Sequence, residues 1–528
     1  MTATETYQSR ARTGRDWFGR LVHAEWTKFR SVRAWAVTVV LIPLLTVAGG
    51  ALLSHSSCSL TGPGGQTSAC SAPPTGPGGE AVVDSFYFAH QTLTGDGTIT
   101  VRVTSLTGEY TPSTDTTGDA VPRGGFPTGV QPWSKAGIMV SASASQGSAY
   151  AAMMATGGNG VRMQWNYTGD SPGLSGAVSA SSPRWLRLTR SGDTLTGYDS
   201  ADGTRWTAVG SVVISGLPSS AQVGLFATSP SYQVTSPSFA GGSSRATGTF
   251  DELGLSWAGA GAWTGTGIGA DPAGPNGPNP FTGSFTRSGD TFTVSGSGDI
   301  APEVPETWNG IGAKAENALI GTVVGLIAAI IVAALFVTAE YRRGLILLTF
   351  AASPRRGRVL AAKALVIGSV TFAAGLVGAA IALPFGIQLM RGGGSPVLPT
   401  STFTDLRMVL GAAAMLAVAA VLALALGTLA RRGVTAISAV IAVIFLPVLL
   451  AMLPGLLPTA VQEWLLRVTP DAAFAVIQSQ PAYPQVSGAY QPAFGYFPVS
   501  WWTGFAVLCA WAAAALAGAL YVLRRRDV

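Results

Sequence analysis

The stretch Glu340–Lys363 reads EYRRGLILLTFAASPRRGRVLAAK. Six of its residues are Arg or Lys, yet GLILLTFAA in its middle is apolar or small. The segments on both sides are among the most apolar in the chain. A spanning helix needs about 20 mostly apolar residues. Six segments qualify: Trp35–Leu53, Asn317–Ala339, Leu360–Leu383, Met408–Ala430, Val434–Leu457 and Trp502–Leu523. The interior of each reads as free of Asp, Glu, Lys and Arg. Composition agrees, with 48% hydrophobic and 11% charged residues and a mean hydropathy of +0.37, against about 25% charged in soluble proteins. The first span reads as uncleaved, because its apolar run is near full span length and LSHSSC after it offers no A-x-A cleavage site.

Arg and Lys next to spans mark the cytoplasmic side. They cluster in four places that alternate along the chain. Arg10, Arg12, Arg15, Arg20, Lys28, Arg30 and Arg33 precede the first span. Arg342, Arg343, Arg355, Arg356, Arg358 and Lys363 follow the second. Arg431 and Arg432 lie between the fourth and fifth, and Arg524, Arg525 and Arg526 follow the sixth. One orientation puts all four inside, with both termini cytoplasmic and a large insert, 54–316, outside. That insert holds 11 basic and 18 acidic residues. The positive charge is thus a topology signal, and gives no case for nucleic acid.

Within residues 1–34, Phe18, Leu21, Val22, Trp26, Phe29 and Val32 recur at helical spacing. A basic amphipathic helix with tryptophans reads as one lying along the inner leaflet, in contact with membrane lipid. At 100° per residue Glu25 falls inside the apolar face. It either reaches water or Lys28, or it contacts another polypeptide.

The first span, 35–53, leads into a Gly-, Pro- and Ser-rich linker, 54–80. Cys58 and Cys70 lie in this linker on the oxidising side, where a disulfide between them is the expected pairing. No second Cys pair or His cluster accompanies them, so no metal is expected. Cys509 falls in the last span, as a small packing residue.

Residues 81–301 change character. Short alternating runs such as TITVRVTSL, AGIMVSAS and GVRMQWNY recur between turn signals such as SADGT and GGNG, the pattern of an antiparallel sandwich or jelly roll. Asp96, Glu109, Asp193 and Asp202 sit at turns, with no visible pair facing one cleft. His90 has no catalytic partner in view. Trp133, Trp165, Trp185 and Trp206 either stack on a glycan or fill the core.

FYFAHQTLTGDGTITVRV, WSKAGIMV, YAAMMATGGNGVRMQW, PRWLRLTRSGDTLTGYDSADGTRWTAVG and FDELGLS occur in order. Together they resemble the concanavalin A-like jelly-roll modules of bacterial secreted and surface proteins. The family's opening segment is missing from the front, but GDTFTVSGSGDI, Gly289–Ile300, is similar to it. The expectation is a permuted sandwich closed by a strand from its far end, which would bring its entry and exit together at the membrane.

Residues 302–528 carry spans two to six, with a cytoplasmic loop at 340–359. The chain lacks G-x-x-x-x-G-K-[ST]. With no ionisable group at span depth there is no visible ion relay, so energy for transport must come from elsewhere. HAEWTKFRSVRAW, AEYRRGLILLTFAASPRRGRVLAAKALV, LGTLARRGVTAIS and YVLRRRDV resemble type-2 ABC exporter permeases. The resemblance implies a non-catalytic subunit without bound cofactor, working with a cytoplasmic ATPase subunit that binds ATP and with a second permease copy or a paralogue. It implies a connecting helix at 16–33, with Glu25, Trp26, Lys28 and Phe29. It also implies a coupling helix near 341–356, where Leu345, Leu347, Leu348 and Phe350 would anchor in a groove of the ATPase. Arg342, Arg343, Arg355 and Arg356 would ring that contact. Thr459–Ser479 suits the family's short re-entrant helices. The large outer insert departs from the common form.

The reading is a multi-pass permease of the bacterial plasma membrane, with its jelly roll outside. The rival is a membrane-anchored sensor or binding protein whose jelly roll recognises cell-wall glycan.

Overall fold

In the computed structural model, the apolar segments form a helical bundle and the insert forms a β sandwich at one end of it. The structure describes residues 17–528 apart from 54–58, 62–66, 70–71, 112–125, 235–239, 258–260, 270–272, 275–276, 279–280, 305–312, 354, 454, 487–488 and 526–528. The Cys58–Cys70 pairing lies outside the described residues.

Nine α-helices occur among the described residues: α1 (Trp17–Ser31), α2 (Arg33–Leu53), α3 (Thr322–Arg342), α4 (Leu345–Ala352), α5 (Arg356–Gly392), α6 (Thr402–Ala430), α7 (Gly433–Met452), α8 (Thr459–Val468) and α9 (Trp501–Arg525). Six, α2, α3, α5, α6, α7 and α9, are long and apolar enough to cross a membrane. α5 runs for 37 residues, well beyond the span read at 360–383. Hydropathy marks only the lipid-depth part of a helix, whereas backbone hydrogen bonds carry it on into polar surroundings. α7 stops at Met452 rather than at Leu457. Leu453 is extended, with ψ 114°, as expected for a residue that precedes a proline.

Small residues let the helices close on one another. A Cβ on Gly321 would sit 2.0 Å from the Thr46 carbonyl oxygen, and one on Gly411 2.4 Å from Val476. The central helices are the most enclosed. About two thirds of the α3 window and of the α6 window is buried, against 17% for α2 and 22% for α7 and α9. At its start α6 is capped by Ser401, whose hydroxyl accepts from the Thr404 amide at 3.2 Å.

The insert is a pair of seven-stranded antiparallel sheets. In one sheet the order is 207–213, 194–200, 184–191, 97–110, 244–255, 291–296, 284–288. In the other it is 264–268, 86–94, 220–228, 135–141, 150–156, 161–165, 169–172. Alternation explains the packing. Ile99, Val101 and Val103 point inward, between more exposed Thr98, Thr100 and Arg102. They join Ile138, Leu186, Leu225 and Phe250 in one core between the sheets. Gly289–Ile300 contributes a strand as expected, with Thr291–Gly296 antiparallel to 244–255. At the base of the sandwich, Ile300–Pro302 pairs antiparallel with Val82–Asp84. The chain therefore enters and leaves the sandwich on adjacent strands.

One further contact joins the sandwich directly to the bundle, and two more tie the segment between the sandwich and α3 to loops of the bundle. Gln485 donates from Nε2 to the Tyr167 carbonyl at 2.7 Å. Tyr167 is buried at a hairpin turn with φ 63°, a conformation disfavoured for a bulky side chain. Ala313 exchanges backbone bonds with Pro396 and Leu398, at 2.8 and 3.0 Å. Glu316 accepts from the Ser479 amide at 3.0 Å.

The closing strand generates a test. Phe292 is 2% exposed and stacks on Phe285. Phe292→Ala should destabilise the sandwich by about 3–5 kcal/mol, whereas the exposed neighbour Thr291→Ala should be nearly neutral. Near-ultraviolet circular dichroism melts of the full chain in detergent read the difference. Equal melts for the two variants would show that the strand is not integral to the core.

Candidate functional site

The segment Glu340–Lys363 places a short helix between two long ones. Gly344 sits at its start with φ 68°, a conformation that glycine adopts at little cost. Ser353, extended with φ −139°, ends it, in keeping with a residue that precedes proline. α4 is thus an eight-residue bridge from α3 to α5.

Beside this bridge four charged residues meet. Lys363, on α5, donates to Glu25 Oε2 on α1 and to Glu340 Oε1 on α3, each at 2.7 Å. Lys28 donates to Glu25 Oε1 at 2.8 Å and to Glu340 Oε1 at 3.3 Å. Lys28 also reaches Thr349 Oγ1 of α4 at 3.3 Å. Two carboxylates and two ammonium groups make the cluster neutral. Side-chain exposure is 1% for Glu25, 2% for Lys363 and 7% for Glu340, but 40% for Lys28. Burial pushes Lys28 down, but its bonds to Glu25 and Glu340 outweigh this, and its affinity for the proton is raised. Over the cluster sits an aromatic lid. The Lys363 ammonium lies 4.9 Å from the Phe336 ring centre, and Phe336 packs edge-on against Phe29 and Trp35.

Glu25 is therefore explained within the chain: it answers Lys28 and, more deeply, Lys363. The inward side of α1 centres on Val22, Glu25 and Phe29, whereas Phe18 and Trp26 are exposed. Lys363 corrects the reading of acid- and base-free spans. It lies within α5 and is buried, and Glu340 is buried near the end of α3. Of the four, Glu25 and Lys28 are singled out in the sequence reading and Glu340 is passed over, although a signal for it exists beside that for Glu25. Between Trp17 and Arg525, Glu25 and Glu340 are the sole acids in the segments rich in Arg and Lys.

On α4, Leu345 (44% exposed), Leu347 (51%) and Leu348 (69%) face outward. Phe350 does not join them. It is half-buried against the bundle core, with the Arg356 guanidinium 5.5 Å from its ring. Arg356 donates to the Leu523 carbonyl at 2.5 Å, so it ties α5 to α9. Arg342, Arg343 and Arg355 are exposed. The stripe Val461, Trp464, Val468 on α8 also faces away from the chain, and its buried residues are Gln462 and Leu466.

In the sandwich, Trp133 is 6% exposed and Trp165 packs on the core. Trp185 and Trp206 are half-exposed, paired with Arg102 and Arg187 at 5.6 and 3.8 Å. The four turn acids do not gather. Asp96 accepts from the Gly192 amide at 2.7 Å, Glu109 pairs with Arg245 at 2.6 Å, and Asp202 caps its own turn at 2.9 Å. His90 is held between Gln222 at 2.7 Å and Thr266 at 3.0 Å. Where the sandwich meets the bundle, burial, with a contribution from nearby Asp299, pushes Glu303 up to about 7. Among the described residues no cluster of three or more His, Cys, Asp or Glu could hold a metal.

A six-span helical bundle carrying an inserted β sandwich, with a charged cluster at one end, defines a multi-pass membrane protein. A family model for ABC-2 family transporter proteins matches residues 21–528, and the chain belongs to that family. No curated protein matches the chain. Solved structures that resemble it include SCP-B, an eqolisin-family peptidase, at 9% identity and a TM-score of 0.24, covering 40% of this chain and 98% of that one. Scytalido-glutamic peptidase follows at 10% and 0.24, with the same coverage. Lectin I-B4 from Griffonia simplicifolia stands at 10% and 0.17, covering 40% and 92%. At these scores they carry no argument about this chain.

The cluster predicts unequal costs. Lys363→Met leaves two buried carboxylates underneutralised and should destabilise the bundle by about 3–5 kcal/mol. Lys28→Met removes the same charge at the cluster's wet edge, where water can replace the ammonium, and should cost clearly less than Lys363→Met. Thermal melting of the purified chain should rank them so, and equal shifts would contradict the cluster's buried geometry.

Proposed function

We propose that this chain is the membrane subunit of an ATP-driven exporter, working with a separate cytoplasmic ATPase and a second copy of itself or a paralogue. In this reading the basic end of the bundle is cytoplasmic, the sandwich lies outside a bacterial plasma membrane, and the chain itself binds no nucleotide. The observation that carries the reading is the four-way pairing of Glu25, Lys28, Glu340 and Lys363 beside α4. A push on α4 would reach α1, α3 and α5 together, because Lys28 touches Thr349 while Lys363 bridges Glu25 and Glu340.

Leu345 and Leu348 are three residues apart and share one face of α4. They are the anchors we assign to the ATPase groove, with Arg343 and Arg355 at its edge. The lightly covered α2, α7 and α9 leave apolar surface for lipid and for a partner permease. Trp185 and Trp206, on the sandwich, are where a cell-wall glycan would stack.

Leu348→Asp should abolish copurification of the ATPase in mild detergent, or lower its hydrolysis rate in liposomes at least tenfold, while membrane insertion is unchanged. Full hydrolysis and coupling in Leu348→Asp would contradict the assigned contact. If the wild-type chain neither copurifies with a P-loop ATPase nor alters its rate, the transporter reading fails in favour of a membrane-anchored sensor.

A further inference from the structure

Between the ends of α3 and α6 and the start of α7 lies a cavity of about 680 Å³. Tyr341, Arg342, Leu347, Arg431, Arg432 and Val434 line most of it, and none of its lining residues is acidic. The Nε and Nη2 atoms of Arg431 and the hydroxyl of Tyr341 are buried, with no hydrogen-bond partner among the described residues. The Arg431 guanidinium lies 5.6 Å from the Tyr341 ring centre, so the two side chains that carry these orphan donors pack together. Buried donors are rarely left unmet, because each costs the desolvation of the group. Arg431 is also held at φ 56° as the cap of α6, a place where glycine is the usual residue. The fold keeps an arginine there at some backbone cost.

Neither Arg342, Arg431 nor Arg432 forms an ion pair among the described residues. A phosphate group meets this donor set well. Guanidinium N–H pairs bind phosphate oxygens in a bidentate fork, and a tyrosine hydroxyl adds a third donor. The rim of the cavity is apolar. Val434 is 78% exposed and Leu347 51%. Leu347 lies about 200° around α4 from Leu345 at 100° per residue, so it faces a different surface from the Leu345–Leu348 pair. Arginines beside the exposed Val434, at the start of α7, and the exposed Leu347 of α4 are the complement of a phospholipid: charged head, apolar tails.

We propose that this cavity binds the phosphate of an anionic phospholipid headgroup from the leaflet at the basic end of the bundle. Arg431 and Tyr341 hold the phosphate oxygens, Arg342 and Arg432 supply the surrounding charge, and Val434 and Leu347 meet the acyl chains. The site does not depend on what the chain transports. It sits against α4, so occupancy would brace the helix that we assign to the ATPase contact.

The test is lipid binding to the purified full chain, by native mass spectrometry and thermal stabilisation. The probes are phosphatidylglycerol, phosphatidylcholine and inorganic phosphate. The expected result is at least tenfold weaker phosphatidylglycerol binding in Arg431→Gln than in wild type, at least threefold weaker in Arg432→Gln, and no change in Arg30→Gln, an exposed arginine of α1. Phosphatidylcholine should bind weakly to all four proteins. Stabilisation by inorganic phosphate as strong as by phosphatidylglycerol, and lost in Arg431→Gln, would keep the phosphate site and make soluble phosphate its source. The proposal is overturned if both lipids bind alike, or if Arg30→Gln loses as much as Arg431→Gln. It is also overturned if Arg431→Gln keeps the lipid but loses the ATPase, which would assign the cavity to an acidic protein segment. Should Arg431→Gln fail to fold, Arg432→Gln against Arg30→Gln decides the matter.

Discussion

Lys363 between Glu25 and Glu340 is the interaction on which the basic end of this molecule depends. An ammonium group at that depth would be costly alone, as would either carboxylate. Each is tolerable because the others are there. The three come from α5, α1 and α3, which are separated by long stretches of chain. Satisfying the charges therefore fixes three helices against one another. Lys28 extends the arrangement to α4, the one short helix that presents exposed leucines away from the bundle. In the proposed reading, force received at α4 reaches the spans through short, charge-assisted bonds rather than through apolar contacts that can slide.

The opposite end is organised by backbone pairing. The strand pair 82–84 and 300–302 closes the sandwich at its base, so a large domain is inserted between α2 and α3 without forcing those helices apart. Gly321 lets the same two helices touch near that end. Gln485 then adds a direct bond from bundle to sandwich, and Ala313 and Glu316 tie the segment between the sandwich and α3 to loops of the bundle. The sandwich is thus held by its entry, its exit and the segment before α9.

Much of this was legible in the sequence. Six apolar runs and the alternation of four basic clusters gave the helical bundle, because the bilayer imposes a length and a composition on every span. Period-two runs such as TITVRVTSL gave the sandwich, because its sheets have one face in the core. The amphipathic N-terminal helix and the out-of-pattern Glu25 were visible for the same reason. Lys363 was not, since a charge near a span end reads as a flanking topology residue. Only the fold shows that it turns inward to meet two carboxylates 338 and 23 positions away. The half-burial of Phe350 was not legible either. An eight-residue helix that is apolar all round gives no periodicity from which to choose its outward face, and tertiary packing left Leu345, Leu347 and Leu348 exposed. Arg431 carried no sequence signal beyond its charge, because its importance lies in a positive φ and in a missing partner.

The central claim is that the charge cluster makes α1, α4 and the adjoining ends of α3 and α5 move as one body. The most direct measurement is the distance between spin labels on Thr27 of α1 and the exposed Ala351 of α4, taken by pulsed electron resonance in liposomes with and without ATP and the cognate ATPase. In an otherwise unaltered chain the account predicts one narrow distance that nucleotide does not change, and a broadened distribution once Lys363 is replaced by Met. A distance that shifts with nucleotide while Lys363 is intact, or that is equally narrow without Lys363, would contradict it.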